Sequence, residues 1–71
     1  MEKTAALTRE MIGTEVNVRI LGIKGVSKAE VLGFGTCDKW CRLKALEGAD
    51  KNFCCGDEKS FQVSAVKVIV A

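Results

Sequence analysis

The stretch that decides the fold is KAEVLGFGTCDKWCRLKAL, residues 28–46. It reads as two β-strands joined by a tight polar turn. Ala29 and Val31 share one face, but around Gly33 the apolar positions become Leu32 and Phe34. Strand side chains alternate with period 2, so a one-residue slip beside a glycine predicts a bulge or a sharp bend. Such a bend lets a small sheet curl into a barrel. Cys37, Asp38 and Lys39 make the turn. Beyond it Cys41, Leu43 and Ala45 fall on one face, and Trp40, Arg42, Lys44 and Leu46 on the other.

The flanks extend the pattern. In EVNVRIL, residues 15–21, Val16, Val18 and Ile20 point one way and Glu15, Asn17 and Arg19 the other, a half-buried strand. Gly22 to Ser27 connects it to the bent strand. Phe53-Cys54-Cys55 is a short apolar piece, read as a strand extension that ends at Gly56. Residues 60–63 and 66–70 read as two more strands, separated by a single helical turn at Ser64-Ala65. Residues 4–12 read as one short helix, with Thr4 as N-cap, Leu7, Met11 and Ile12 on one face, and Gly13 ending it. Nine residues do not hold a helix alone, so it must dock. The fold expected is therefore mainly β: a small SH3-like, five-stranded antiparallel barrel with a short N-terminal helix. One domain spans 1–71, the helix within 1–13 and the barrel within 14–71. The rival is a helix-decorated α+β sheet with an open edge.

With 71 residues, a chain buries only about 60% of its unfolded surface and usually needs disulfides, a metal or oligomerisation. A net charge of +2 permits a local nucleic-acid patch and does not argue for one. No apolar run approaches the roughly 18 residues of a membrane span. The start, MEKTAALTREMIG, carries acids and no apolar core, unlike a signal peptide. These features lead to an expected cytoplasmic location, with the cysteines reduced. Histidine is absent, which removes the commonest general base and metal ligand. The glycine pairs Gly22/Gly25 and Gly33/Gly35 lead into no helix carrying a Lys-Ser/Thr pair, so they are turns rather than phosphate loops. The chain reads as non-catalytic and without a cofactor.

Two constellations carry chemistry. Trp40, Arg42 and Lys44 alternate onto the outward face of one strand, where an aromatic beside cations can stack a base and hold phosphates. Arg19 extends this patch on the preceding strand, with Lys39 and Lys67 as further cations. The competing reading packs Trp40 beneath the N-terminal helix against Leu7 and Met11. A third makes Trp40 and Arg42 anchors for a protein partner. The cysteines form the other set. Cys37-x3-Cys41 with Cys54-Cys55 supplies four thiolates for zinc, but adjacent residues of an extended strand point to opposite faces, which disfavours the second pair as a knuckle. The simpler reading makes Cys41 and one of Cys54 or Cys55 small core residues, with a redox-active pair or a disulfide as a further alternative.

The layout resembles the Sm-like superfamily, which includes the bacterial Hfq proteins. TREMIGTEVNVRILG resembles that family's passage from helix to first strand, KAEVLGFG its bent second strand, and FQVSAVKVIV its fourth strand, helical turn and fifth strand. The resemblance covers residues 8–70 and implies a barrel, a ring and RNA as ligand. Phe34 is followed by Gly35, Thr36 and Cys37 instead of an acidic or amide residue, and Asp38 comes later. The Arg-Gly and Lys-His pairs are absent, the latter position being Gln62-Val63. The family's uridine pocket is therefore not transferred.

Two functions follow as expectations. One is a non-catalytic RNA-binding barrel through Arg19, Trp40, Arg42 and Lys44. The other is a small adaptor or inhibitor, of the kind mobile elements carry, that binds one protein partner. The last strand, VKVIV, has high β-propensity and one charge. Left unpaired it is an aggregation hazard. It is therefore expected to pair with a neighbouring chain, making Val66, Val68 and Val70 the interface of a homo-oligomer.

Overall fold

The computed structural model describes residues 3–48 and 50–70. Met1, Glu2, Ala49 and Ala71 lie outside them, as do the parts of the readings of 1–13 and 1–71 that fall on these positions. The strands are β1 (Thr4–Ala6), β2 (Glu15–Ile20), β3 (Val26–Phe34), β4 (Trp40–Glu47), β5 (Glu58–Gln62) and β6 (Val66–Ile69). All pair antiparallel in one open sheet, ordered β1-β6-β2-β3-β4-β5. Three 3-10 turns, Arg9–Met11, Thr36–Asp38 and Val63–Ala65, lie in the connections.

Alternation builds the core. Val18 and Ile20 of β2, Ala29 and Val31 of β3, Cys41, Leu43 and Ala45 of β4, and Val66 and Val68 of β6 are buried in one cluster. A fully buried Val, Leu or Phe side chain contributes about 1.5–3 kcal/mol. The slip beside Gly33 is a bulge: Val31 pairs with Leu43 and Gly33 with Arg42, leaving Leu32 as the extra residue. A second irregularity lies between Lys28 and Ala29. The bulge bends β3 and increases its twist.

Two parts of the expectation change. No helix forms at residues 4–12. Thr4–Ala6 is a strand paired with β6, and only Arg9–Met11 makes a helical turn, without a side-chain cap from Thr8. The helix lacked the length to stand alone, whereas the outer edge of β6 offered its unpaired main-chain groups to any extended segment. That pairing also changes the count from five strands to six. It covers β6 over Lys67–Ile69, so the uncovered edge from which a homo-oligomer was expected is closed by the chain itself. Val66 and Val68 face the core, and Val70 is 57% exposed.

The second change is at residues 53–55, which form a loop rather than a strand extension. Phe53 drops from this loop into the core, fully buried, and meets Phe61 edge-on at 5.2 Å between ring centroids. Gly48 makes room for it: a Cβ there would lie 2.5 Å from the Phe53 carbonyl oxygen. The Asp50 carboxylate clamps the loop. It accepts hydrogen bonds at 2.7 Å from the main-chain N–H of Lys24, in the β2–β3 connection, and of Asn52. These two donors hold the Asp50 carboxyl below its ordinary range. Ser27 brings a buried hydroxyl into the same region without a hydrogen-bond partner among the described residues.

Phe53→Ala should cost about 3–5 kcal/mol, because the loop cannot refill the space of the ring. Urea unfolding followed by Trp40 emission measures it; a loss below about 1 kcal/mol would show that Phe53 does not plug the core. The Asp50 clamp has a defined pH sign. Its folded pKa lies below the unfolded value of about 3.9, so its contribution is complete above that value and is lost as pH falls through the folded pKa. Asp50→Asn should therefore lower stability at neutral pH and flatten the acid limb of the stability curve. An unchanged acid limb would count against the clamp.

Candidate binding surface around Trp40

The connection from β3 to β4 is a closed turn. The Trp40 carbonyl accepts from the Gly35 N–H at 2.7 Å, the Gly35 carbonyl from Asp38 at 3.2 Å, and the Thr36 carbonyl from Lys39 at 3.4 Å. Closing it puts Cys37 at φ 59° and Asp38 at φ 56°, both left-handed. An L-residue there costs about 1–2 kcal/mol, less for Asp, whose short polar side chain tolerates the region. Asp38 also gains a partner: Arg9 Nη2 lies 2.5 Å from its Oδ1, and the Arg9 guanidinium sits 5.7 Å from the centroid of the Phe34 ring. The Lys39 carbonyl accepts from the Val63 N–H at 2.9 Å, which joins the turn to the 3-10 turn before β6.

Trp40 stands at the foot of this turn, 48% exposed. A concavity on one side is lined by Asp38, Lys39, Gln62, Val63 and Ser64. Trp40 also borders another, lined by Phe34, Gly35, Arg42 and Ser60 among others. Trp40 is not roofed by a helix: Leu7 goes into the core, while Met11 packs at the core's margin.

The cations expected beside Trp40 have acids next to them. Arg42 Nε lies 3.7 Å from Glu58 Oε1. Lys44 lies opposite Glu30 on β3 and Glu58 on β5. Exposed pairs of this kind add little stability, yet they cancel the local field that would attract phosphates. Arg19 is not part of this face. It pairs in register with Val26 on β3 and Lys67 on β6, and lines a different concavity with Leu21, Ser64 and Lys67. Ser64 borders both concavities.

The four cysteines are free thiols and do not converge. Cys41 is buried, donates to the Phe61 carbonyl at 3.5 Å, and has its pKa raised by burial. Cys54 is exposed, but its thiol lies 3.4 Å from Asp57 Oδ2, and this hydrogen bond, reinforced by the carboxylate's charge, raises its pKa as well. Cys37 sits in the strained turn, and Cys55 is exposed beside Cys54. Among the described residues no three His, Cys, Asp or Glu side chains gather as a metal site. No helix among them is long and apolar enough to cross a membrane.

Sequence reasoning missed Phe34 and Val63, which border the concavities beside Trp40, and Arg9, which pairs with Asp38; nothing local signals them. Leu21 it passed over despite a signal: in EVNVRIL it falls on the outward parity, and it is 84% exposed. Comparison with family models, with curated proteins and with solved structures gave no match.

Cys37→Gly relieves one left-handed residue and should stabilise the protein by about 0.5–1 kcal/mol, the unfolded chain's added freedom offsetting the rest. The midpoint of urea unfolding reads it. A fall in stability would mean that the turn does not hold Cys37 in this conformation.

Proposed function

We propose that this chain is a non-catalytic protein-interaction module that grips one partner through the surface centred on Trp40. The observation that carries the reading is a half-exposed tryptophan that borders two concavities, with the nearest strand cations already matched by acids. Trp is the residue type most enriched among binding hot spots, and a rigid turn spares it ordering entropy on association. The absence of histidine and the raised thiol pKa values of Cys41 and Cys54 support a non-catalytic role. We read the curled sheet as a small barrel of the SH3-like or Sm-like class. Supporting this are the β3 bulge, the core shared by four strands, and the 3-10 turn that links β5 to β6. Self-association by main-chain pairing would run through the outer edges of β1 or β5 rather than β6.

RNA is the second reading, supported by the alternation of Trp40, Arg42 and Lys44 on one face. The acids beside Arg42 and Lys44 weigh against it. Trp40 is the single tryptophan, so its emission reports directly on occupancy.

The test pairs two measurements. Purification from the source cells should bring one protein at equal stoichiometry. Trp40→Ala should weaken that complex at least about 30-fold, as loss of a hot-spot aromatic does, and Arg42→Ala/Lys44→Ala by less than about fivefold. Titration with mixed-sequence RNA at varied salt covers the alternative. Saturable binding that shifts Trp40 emission, with a steep fall in affinity as salt rises, would overturn the protein reading in favour of RNA.

A further inference from the structure

Cys54-Cys55 sets two nucleophilic side chains next to each other, outside the concavities that Trp40 borders. Both thiols are free and exposed, so neither is the core residue expected of one of them. They sit in a four-residue turn: the Asp57 N–H donates to the Cys54 carbonyl at 2.9 Å, and Gly56, third in the turn, has φ 95°. A positive φ at that position marks a type II turn and favours glycine. The turn is fastened to β4. The Gly56 N–H donates to the Ala45 carbonyl at 2.8 Å, and the Ala45 N–H to the Asp57 carbonyl at 2.7 Å. The Asp57 carboxylate fixes Cys54: its Oδ2 accepts from the Cys54 N–H at 3.1 Å and lies 3.4 Å from the Cys54 thiol. Directly before the pair comes Phe53, whose ring fills the core. Among the described residues the pair joins no group of three metal-binding side chains, so the turn offers no built zinc site.

We infer that Cys54-Cys55 is a reversible oxidation site, which exchanges with a small-molecule disulfide such as glutathione disulfide, closes to a bond between the two neighbours, and in closing loosens the Phe53 loop. Exposure gives the reagent access, and the adjacent second thiol resolves the mixed disulfide that a lone cysteine would keep. In the first step the Cys55 thiol gives its proton to water and its sulfur attacks one sulfur of the reagent. A glutathione thiolate leaves and is protonated. In the second step the Cys54 thiol loses its proton, its sulfur attacks that of Cys55, and the other glutathione leaves as a thiol. Two electrons pass from the pair to the reagent; one disulfide forms and one is cleaved. Asp57 sets the order. Its hydrogen bond and its charge raise the Cys54 pKa and keep that thiol protonated, which leaves Cys55 as the first nucleophile. The bond that forms is strained, because neighbouring Cα atoms lie about 3.8 Å apart across a trans peptide, against about 4.4–6.8 Å for an ordinary disulfide. Strained and exposed disulfides are the labile, regulatory ones. Closure has to swing the Cys54 sulfur off Asp57 and toward Cys55, and the main chain that gives way is the one from which Phe53 hangs. Nothing in this chemistry depends on what Trp40 binds.

The test incubates the reduced full chain with excess glutathione disulfide, alkylates the remaining thiols with iodoacetamide, digests with trypsin and weighs the peptides. Cys54 and Cys55 then share peptide 52–59, while Cys37 lies in peptide 29–39 and Cys41 in peptide 40–42. Peptide 52–59 should lose the mass of two hydrogens and take up no alkyl group, whereas Cys37, exposed and alone, stops at the glutathione adduct. Dithiothreitol should restore both alkylation sites. Asp57→Asn should speed closure of the mixed disulfide at least about threefold, because no carboxylate then opposes the Cys54 thiolate. The coupling to Phe53 is read in a Cys37→Ser background, which removes the other exposed thiol. There the oxidised chain should unfold at lower urea than the reduced chain, followed by Trp40 emission. Cys54→Ser/Cys55→Ser, treated in the same way, should keep its midpoint. Peptide 52–59 that stays fully alkylated overturns the site, whatever Cys37 does, and this readout needs no variant. A pair that stops at the glutathione adduct, or that links two chains, overturns the bond between neighbours. An oxidised chain with an unchanged midpoint overturns the coupling to the Phe53 loop.

Discussion

Main-chain pairing along both sides of β3 is the constraint on which the other elements depend. β2 takes one side, from Glu15 opposite Glu30 to Arg19 opposite Val26, and β4 takes the other. A nine-residue strand held on both sides bends only where the ladder gives, and the extra residue Leu32 supplies that place. The bend turns the inward faces of the neighbouring strands toward one another, so their small cores merge. It also sets where β3 ends, and so where the Thr36–Asp38 turn throws Trp40 outward. A site carried on the end of a paired strand is held more precisely than one on a free loop.

The open sheet has two outer edges, and the chain treats them differently. β1 lays three residues along β6 and in doing so becomes an edge too short to template much pairing. β5 carries Lys59 opposite Leu43, exposed at the sheet's edge, and its side chain reaches the Asn52 carbonyl. A lysine on an edge strand opposes pairing with another chain there. The same contact braces the loop that carries Phe53, so one residue serves both edge protection and core closure.

Charge is arranged unevenly over the surface. Near Trp40, Arg42 has Glu58 and Lys44 lies between Glu30 and Glu58, leaving an apolar anchor in a nearly neutral field. Across the Val63–Ala65 turn, Arg19 lies opposite Lys67 in the β2–β6 ladder.

Alternation made most of the sheet readable in the sequence: the inward sets Val18/Ile20, Ala29/Val31 and Cys41/Leu43/Ala45, the slip at Gly33, and the turn before the last strand were all legible, because side-chain parity is written in residues two apart. The outward direction of Trp40, Arg42 and Lys44 followed from the same rule. What the sequence could not decide was the company each of these keeps. Residues 4–12 carry a helical stripe, but the unpaired edge of β6, far along the chain, selected the extended form for Thr4–Ala6. Phe53 sat in a stretch too short for periodicity, and only the gap above Gly48 assigned it to the core. The acids beside Arg42 and Lys44, and Lys67 beside Arg19, are brought there by ladder register, which depends on how distant strands align. Parity is a local property of the backbone and survives in the sequence. Partner choice is a competition among all available edges and charges, and only the folded chain resolves it.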